Sequence, residues 1–145
     1  MKQVKIITAQ EAAQLVKDGD VVTTNGFVGS GQPEALTSAL EERFLNTGSP
    51  RDLTLIYAAS QGNTDGRGGD HFAHEGMLKK AILGHWNAVT ALQKLVNENK
   101  IQAYNLPQGT LSQYFRDVAA HRLGTITHVG LDTFADPRIS GGCLN

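Results

Sequence analysis

Apolar and polar positions along the chain predict strands and helices in alternation. Short apolar runs with the composition of buried strands occupy residues 21–24, 53–58 and 101–105, and a run rich in β-branched residues occupies 126–130. Between these runs, apolar residues recur at helical spacing and predict helices over residues 8–19, 33–48, 75–83, 90–97 and 110–121. This order predicts an open α/β fold with a mostly parallel sheet and helices on both faces.

Residues typical of helix ends mark several of these boundaries. Thr8 and Glu11 match a capping box, as do Thr110 and Gln113, so a helix is predicted to begin after each threonine. The polar stretch at residues 41–43 is interpreted as the solvated face of the second helix.

The loops that follow the strands are predicted to form the site. Right-handed crossovers bring the ends of parallel strands to one edge of the sheet, where open α/β folds bind their ligands. These loops, expected to be neighbours, are residues 25–31, 60–69, 105–109 and 132–138. Neither a repeat nor a linker interrupts residues 1–145, which predicts one domain without an internal boundary.

The most distinctive stretch is the glycine-rich loop, residues 26–31, with the sequence Gly-Phe-Val-Gly-Ser-Gly. Glycines adopt backbone angles that side chains forbid, so this loop is expected to press its amides against a ligand. Pro33 suits the start of a helix, and a helix N-terminus attracts phosphate, carboxylate or an oxyanion. The spacing differs from the G-x-G-x-x-G of dinucleotide-binding proteins and from the phosphate loop of nucleotide hydrolases. An ordinary strand-to-helix turn is the alternative interpretation.

Composition and charge narrow the function classes. The formal net charge is -1 and no cluster of basic residues occurs, which argues against electrostatic binding of nucleic acid or of a membrane surface. No run approaches the roughly 20 apolar residues of a membrane helix. A single cysteine, Cys143, and an N-terminal stretch at residues 1–7 without the apolar run of a signal peptide predict a cytoplasmic protein.

Other candidate chemistry is weaker. His71 and His74 lie beside Asp70 and Glu75, but no further Cys or His completes a ligand set and H-E-x-x-H is absent, so no metal site is predicted. No G-x-S-x-G elbow marks a serine nucleophile.

Six motifs occur in order along the chain: NGFxGxGxPEAL at 25–36, PRDLTL at 50–55, HFAHEG at 71–76, GHW at 84–86, NKIxAYNxPQG at 99–109 and TFxDPR at 133–138. Together they resemble the N-terminal, alpha-like half of family I coenzyme A transferases, the propionate, acetate and 3-oxoacid type. The resemblance implies an enzyme that moves coenzyme A (CoA) from a short-chain acyl-CoA to a free carboxylate or 3-oxoacid. CoA is then a substrate, and no permanently bound cofactor is implied.

The resemblance also assigns roles to residues. In such enzymes the glycine-rich loop lies near the CoA or acyl moiety, which maps onto Gly26, Phe27, Gly29, Gly31 and Pro33. The glutamine of the Pro-Gln-Gly turn helps bind the thioester oxygen, which maps onto Gln108. An amide N–H there would stabilise the negative charge that develops as a carboxylate attacks a thioester. The alternative is a glutamine that satisfies backbone groups of its own turn.

The nucleophile of this family is a glutamate of the second half, which forms a thioester with CoA. None of Glu34, Glu41, Glu42, Glu75 and Glu98 matches a nucleophile motif, so no nucleophile is assigned in this chain. A glutamate-bearing partner is expected, either a separate subunit or the rest of a longer chain, and the chain alone is expected to be incomplete and inactive. An unpaired sheet edge predicts dimers or aggregation unless that partner is present, so a homo- or hetero-oligomer is expected.

Two further functions stay open at this point. The first is a non-catalytic module that binds acyl-CoA or another anion. Ligand binding without turnover would favour it. The second is a sugar-phosphate isomerase or sensor of related α/β architecture, motivated by the loop and helix N-terminus alone. Tight binding of a sugar phosphate without any effect of acyl-CoA would favour the latter.

Overall fold

The computed structural model describes residues 4–145 and contains a parallel sheet with the strand order β1-β2-β3-β4. The strands are β1 Val21–Thr23, β2 Leu53–Tyr57, β3 Leu78–Leu83 and β4 Gln102–Asn105. The α-helices are α1 Ala9–Ala13, α2 Glu34–Thr47, α3 Thr90–Asn97 and α4 Gln108–Ala119, and a 3₁₀ helix spans Gly68–Phe72. Residues 1–3, which begin the N-terminal stretch predicted to lack a signal peptide, lie outside the described residues.

Helices cover both faces of the sheet, as predicted. On one face, buried side chains of β2, β3 and β4 form a single core with residues of α1, α2, α3 and the 3₁₀ helix. Alternate residues of a strand point to opposite faces, so Leu55 and Tyr57 lie in this core while Ile56 points to the other face. There, Ile56 and Ile82 face Leu111 of α4. The α/β fold class is therefore confirmed.

Parallel pairing brings all four strands to a common carboxyl edge. Thr23 pairs with Ile56, Ile56 with Ile82, and Ile82 with Tyr104. The outer edge of β4 is covered by the chain itself, because the Asn105 amide donates to the carbonyl of Gly142 at 2.8 Å. The outer edge of β1 carries no strand within residues 4–145.

The first predicted capping box and the helix predicted over residues 90–97, which is α3, agree with the structure. The Thr8 hydroxyl accepts from the Glu11 amide, and the Glu11 carboxylate accepts from the Thr8 amide at 2.8 Å. Helix α1 nevertheless ends at Ala13, short of the predicted residue 19, and Leu15 is exposed. Helix α3 has the predicted bounds, and Asp70 caps its first turn by accepting from the Ala91 amide at 3.1 Å.

The helix predicted over residues 75–83 is wrong, because Leu78–Leu83 is the strand β3 between β2 and β4. Its leucine, lysine and alanine residues are good helix formers, and a short apolar run does not separate strand from helix. Pairing with two neighbouring strands decides the structure here. Local propensity is overridden by tertiary hydrogen bonding.

A predicted strand and a predicted helix start are also wrong. Residues 126–130 form no strand, and Ile126 and Val129 are exposed, because the run does not pair with the sheet. Thr110 does not cap α4: the helix already begins at Gln108, with Pro107 as its N-cap, and Gln113 bonds Asp117 instead. Only Leu106 and Pro107 separate β4 from α4, so the helix begins two residues before Thr110.

Exposed apolar side chains are concentrated near the C-terminus. Those that follow α4 and are largely exposed are Leu123, Ile126, Val129, Leu131, Phe134, Ile139 and Leu144. Their exposure agrees with the predicted self-association, which stays a prediction. Among residues 4–145, none of the helices combines the length and the apolar character needed to cross a bilayer.

Candidate functional site: the loops at the carboxyl edge of the sheet

The glycine-rich loop folds back on itself directly after β1. Gly26 has φ +138° and Gly31 has φ +70°, and both values favour glycine. A Cβ on Gly26 would lie 2.8 Å from the backbone nitrogen of Gln32, so only glycine lets the two ends of the loop approach this closely. Gly29 was also expected to adopt backbone angles that side chains forbid, but its φ is not positive. A Cβ there would contact nothing within 4 Å.

The residue with an unusual conformation in this loop is Val28, which sequence reasoning missed. Its φ of 52° is rare for a β-branched side chain and costs about 1–3 kcal/mol. The strained backbone is held from both sides: the Val28 amide donates to the Ser60 carbonyl at 2.7 Å, and its carbonyl accepts from the Gly62 amide at 3.0 Å. The glycine-rich loop and the loop after β2 are thus joined, as the sequence predicted for neighbouring loops.

The Gln61 side chain fastens the same two loops more deeply. Gln61 is 2% exposed; its amide nitrogen donates to the Thr24 carbonyl at 2.8 Å and its amide oxygen accepts from the Thr24 hydroxyl at 2.7 Å. The Gln61 carbonyl also accepts from the Gly69 amide at 2.6 Å. This buried glutamine fixes the base of the glycine-rich loop. In the sequence, its position within a long polar loop is the only sign of this role.

The outer side of the loop presents groups that a ligand could contact. Phe27 is 59% exposed, and the backbone amides of exposed Gly29 and Gly31 donate to no acceptor within residues 4–145. Beneath the loop, between β1, α1 and α2, lies a mostly apolar cleft of about 280 Å³ that includes Asn25 and Pro33 in its lining. Amides, an aromatic ring and an apolar cleft together suit a ligand with both polar and apolar parts.

Gln108 lies at the first position of α4, after the Pro107 turn that ends β4. The residue is exposed, and its side-chain amide makes no hydrogen bond with the part of the chain that the structure describes. The stem of the side chain lies over Gly84, where a Cβ would be 2.6 Å from the Gln108 Cγ and would overlap the Ala58 carbonyl. The alternative in which Gln108 satisfies its own turn has no support in these contacts.

The two predicted parts of the site meet on one short segment after β2. The glycine-rich loop bonds Ser60 and Gly62, while Gln108 lies over Gly84, which is itself against Ala58. The loop at residues 132–138 is on the side of Gln108: a Cβ on Gly130, just before it, would lie 3.7 Å from Pro107. The segment 58–62 therefore connects both halves of the predicted edge.

The N-terminus of α2 already carries a negative charge. Pro33 is the N-cap, and its carbonyl accepts from the amides of Leu36 and Thr37. Glu34 follows in the first turn, and its carboxylate accepts from the Gly68 amide at 3.0 Å. Partial burial opposes ionisation of Glu34, but hydrogen bonds from His71 and Gly68 outweigh it and lower its pKa. An anion is thus better served by the loop amides than by this helix end.

Two histidines lie behind the loop, against α2. His71 contacts Glu41 through Nδ1 at 2.6 Å and Glu34 through Nε2 at 2.9 Å. His74 contacts the other oxygen of Glu41 at 2.6 Å and stacks on Phe44. Residues 41–43 are therefore not the solvated face that was predicted. His71 and His74 cover Glu41, and the Arg43 guanidinium donates to the Ala13 and Val16 carbonyls at 2.6 Å. No group suited to a metal ion is found among the described residues.

The comparisons with known proteins identify the family and the fold of the chain. The family model for coenzyme A transferase matches residues 6–142. The acetate CoA-transferase YdiF of Escherichia coli (strain K12) is 40% identical over an alignment of 145 positions that covers 99% of this chain and 27% of that protein. The solved thioester complex with CoA of the acyl-CoA transferase YdiF from Escherichia coli O157:H7 has a TM-score of 0.91 at 39% identity, over 96% of this chain and 29% of that one.

A more distant relative is a separate subunit. The acetate CoA-transferase subunit alpha of Escherichia coli (strain K12) is 29% identical over 132 residues, which are 91% of this chain and 57% of that subunit. The chain thus spans about a quarter of YdiF and somewhat more than half of the subunit. The family match covers nearly all of the chain and the fold is shared, so the chain belongs to the coenzyme A transferase family.

Proposed function

We propose that this chain is the N-terminal part of an acyl-CoA:carboxylate CoA-transferase acting on short-chain acyl-CoA and 3-oxoacids. The observation that carries the proposal is the meeting of the glycine-rich loop and of the Gln108 turn on the segment after β2. In this proposal one ligand reaches both, with its polar groups on the loop and the reacting carbonyl near Gln108.

In this proposal the glycine-rich loop binds CoA. Gly29 and Gly31 offer amides to the polar groups of CoA, and exposed Phe27 offers an aromatic surface. Gly26 keeps the loop closed, and Pro33 ends it at the apolar cleft. CoA enters and leaves as a substrate, so no resident cofactor is needed.

Gln108 supplies the stabilising donor for the chemical step. When a carboxylate attacks the thioester carbonyl, negative charge develops on the carbonyl oxygen, and the exposed Gln108 N–H is suited to donate to it. The attacking glutamate belongs to a second part, a subunit or a further stretch of chain, and forms the glutamyl-CoA thioester. The 145-residue chain alone is then inactive.

Replacing Gly29 with alanine tests whether a ligand approaches the loop. The added methyl group meets nothing within 4 Å in the chain and the φ of Gly29 is not positive, so the fold and its stability are expected to be unchanged. A ligand pressed against the loop would meet the methyl group, so the Kd for CoA, measured by isothermal titration calorimetry, is expected to rise about tenfold.

Gly124 provides the matched control. A Cβ there also meets nothing within 4 Å, and Gly124 lies outside the loop. Gly124→Ala is therefore expected to leave the Kd for CoA unchanged. Equal CoA affinity of Gly29→Ala and the unmodified protein would contradict binding at the glycine-rich loop.

A further inference from the structure

His71 is clamped between two acidic side chains of α2, and the proposed function does not use this arrangement. Its Nδ1 is 2.6 Å from Glu41 Oε2 and its Nε2 is 2.9 Å from Glu34 Oε1. The His71 side chain is 10% exposed. A neutral imidazole has only one N–H, so it donates to one carboxylate and turns a lone pair toward the other. Two ionised carboxylates at these distances call for an imidazolium with two donors.

The Glu34 carboxylate connects this clamp to the glycine-rich loop. One oxygen faces His71, while the other accepts from the Gly68 amide at 3.0 Å and from the Gln32 side chain at 3.3 Å. The Gln32 backbone in turn lies against Gly26, as the 2.8 Å approach of a Cβ there shows. Glu34 therefore holds the end of the loop and the start of the 3₁₀ helix in one place.

We propose that doubly protonated His71 is a positioning residue for the glycine-rich loop, fixing it through Glu34, so that the loop loosens and binds CoA less tightly when His71 loses a proton. The last part rests on the proposed function. His71 touches neither substrate nor the reacting atoms in this proposal and acts only through Glu34.

The charged groups around His71 define the direction of the pH dependence. Helix α2 contributes Glu34 and Glu41, and the 3₁₀ helix contributes Asp70 next to His71. His74 approaches Glu41, and the cation Arg67, at the N-cap of the 3₁₀ helix, acts on Glu34. Helix α3, which packs on the 3₁₀ helix, forms no ion pair with this group within the described part of the chain. The two carboxylates in direct contact with the ring, Glu34 and Glu41, favour a proton on His71.

The pKa of His71 follows from these contacts. Burial opposes the charged ring, but the hydrogen bonds with Glu34 and Glu41 outweigh it and raise the pKa of His71 above its ordinary 6.5. A raised pKa means that the clamp is fully formed below pH 6.5 and is lost as the pH rises through the raised value. The lowered pKa of Glu34 sets the acid limit, since that carboxylate is ionised above its ordinary 4.5 and is protonated only as the pH falls through the lowered value.

Nitrogen NMR of the histidine rings in the unmodified protein tests the clamp without any activity. The two ring nitrogens of His71 are expected to lose their shared doubly protonated state with a midpoint above the ordinary 6.5. As His71 titrates at higher pH, the backbone amide signals of Gly26, Gly29 and Gly31 are expected to shift with the same midpoint. A His71 midpoint at or below 6.5, or loop amides that do not follow its titration, would overturn the inference.

Paired variants separate positioning from general packing. His71→Gln, compared with the unmodified protein near neutral pH, is expected to raise the Kd for CoA about tenfold and to remove its alkaline dependence, because one charged hydrogen bond to Glu34 is lost. His74→Gln changes a histidine that contacts Glu41 but not Glu34, so its Kd and pH profile should match the unmodified protein.

The possible results separate loop positioning by His71 from CoA binding itself. If His71→Gln keeps the pH profile of the unmodified protein, the positioning role is wrong although CoA still binds. If CoA fails to bind the unmodified protein at every pH, the proposed function is wrong, and the loop amide shifts still decide whether His71 positions the loop. If His71→Gln does not fold, the ring and amide titrations of the unmodified protein decide between the two outcomes.

Discussion

Replacing Gln108 with alanine in the complete enzyme is expected to lower kcat for CoA transfer by roughly 10²–10³-fold. The physical reason is the loss of one N–H donor aimed at the oxygen that becomes negative as the thioester is attacked. Because Gln108 is exposed and its amide bonds no other group in residues 4–145, its removal leaves no buried polar group unpaired. Steady-state kinetics with a short acyl-CoA should show kcat and kcat/KM falling together.

Gln113 is the matched control for this prediction. It is the same residue type in the same helix, but its amide already donates to Asp117 at 3.2 Å. Gln113→Ala should therefore keep kcat within about twofold of the unmodified enzyme. If Gln108→Ala behaves like Gln113→Ala, the assignment of Gln108 to the thioester oxygen is wrong.

Replacing Gly84 with alanine is expected to destabilise the fold by about 3 kcal/mol. A Cβ at this position overlaps the Ala58 carbonyl oxygen and lies 2.6 Å from the Gln108 Cγ. The carbonyl belongs to the backbone after β2 and cannot rotate away as a side chain could. We expect urea denaturation to show a lower free energy of unfolding, and the surviving folded enzyme to lose rate because Gln108 is displaced.

Gly109, which follows Gln108 on α4, gives the opposite result. A Cβ there meets nothing within 4 Å and its φ is not positive, so alanine gains helix propensity and should stabilise the protein by up to about 1 kcal/mol. Equal unfolding free energies of the Gly84→Ala and Gly109→Ala variants would contradict the close packing of Gly84 between Ala58 and Gln108.

Local patterns in the sequence predict the parts of the fold that local interactions stabilise. The Thr8 and Glu11 capping box needs only residues three positions apart, and it is formed as predicted. Helix α3 carries its own apolar stripe, and its predicted bounds are confirmed. Strand β2 is buried on both sides, and its apolar run predicts it to within one residue.

Long-range strand pairing determines the secondary structure of the two segments that were predicted wrongly. Residues 78–83 have helix-forming composition but become β3, because strands on both sides supply hydrogen bonds to them. Residues 126–130 have strand-forming composition but stay irregular, because no neighbouring strand among the described residues pairs with them. In both cases the tertiary partner, which periodicity does not reveal, determines the conformation.

The candidate site shows the same division. Glycine spacing identifies the loop, and the closed turn at Gly26 agrees with it. The strained Val28, the buried Gln61 and the contact of Glu41 with His71 all depend on partners at least 30 residues away. A sequence without aligned relatives carries no signal for such pairs. The family resemblance is confirmed, while the roles it gives to individual residues stay predictions.

The location of the covalent intermediate can be measured on the natively purified protein after brief incubation with a short acyl-CoA. Denaturing mass spectrometry of the intact chains, followed by peptide mapping, locates any CoA or acyl adduct. We predict an adduct on a glutamate of a second chain or of a stretch beyond these residues, with residues 1–145 unmodified. An adduct on a carboxylate within residues 1–145, or no adduct on any chain of the complete protein, would contradict a transferase whose nucleophile lies outside these residues.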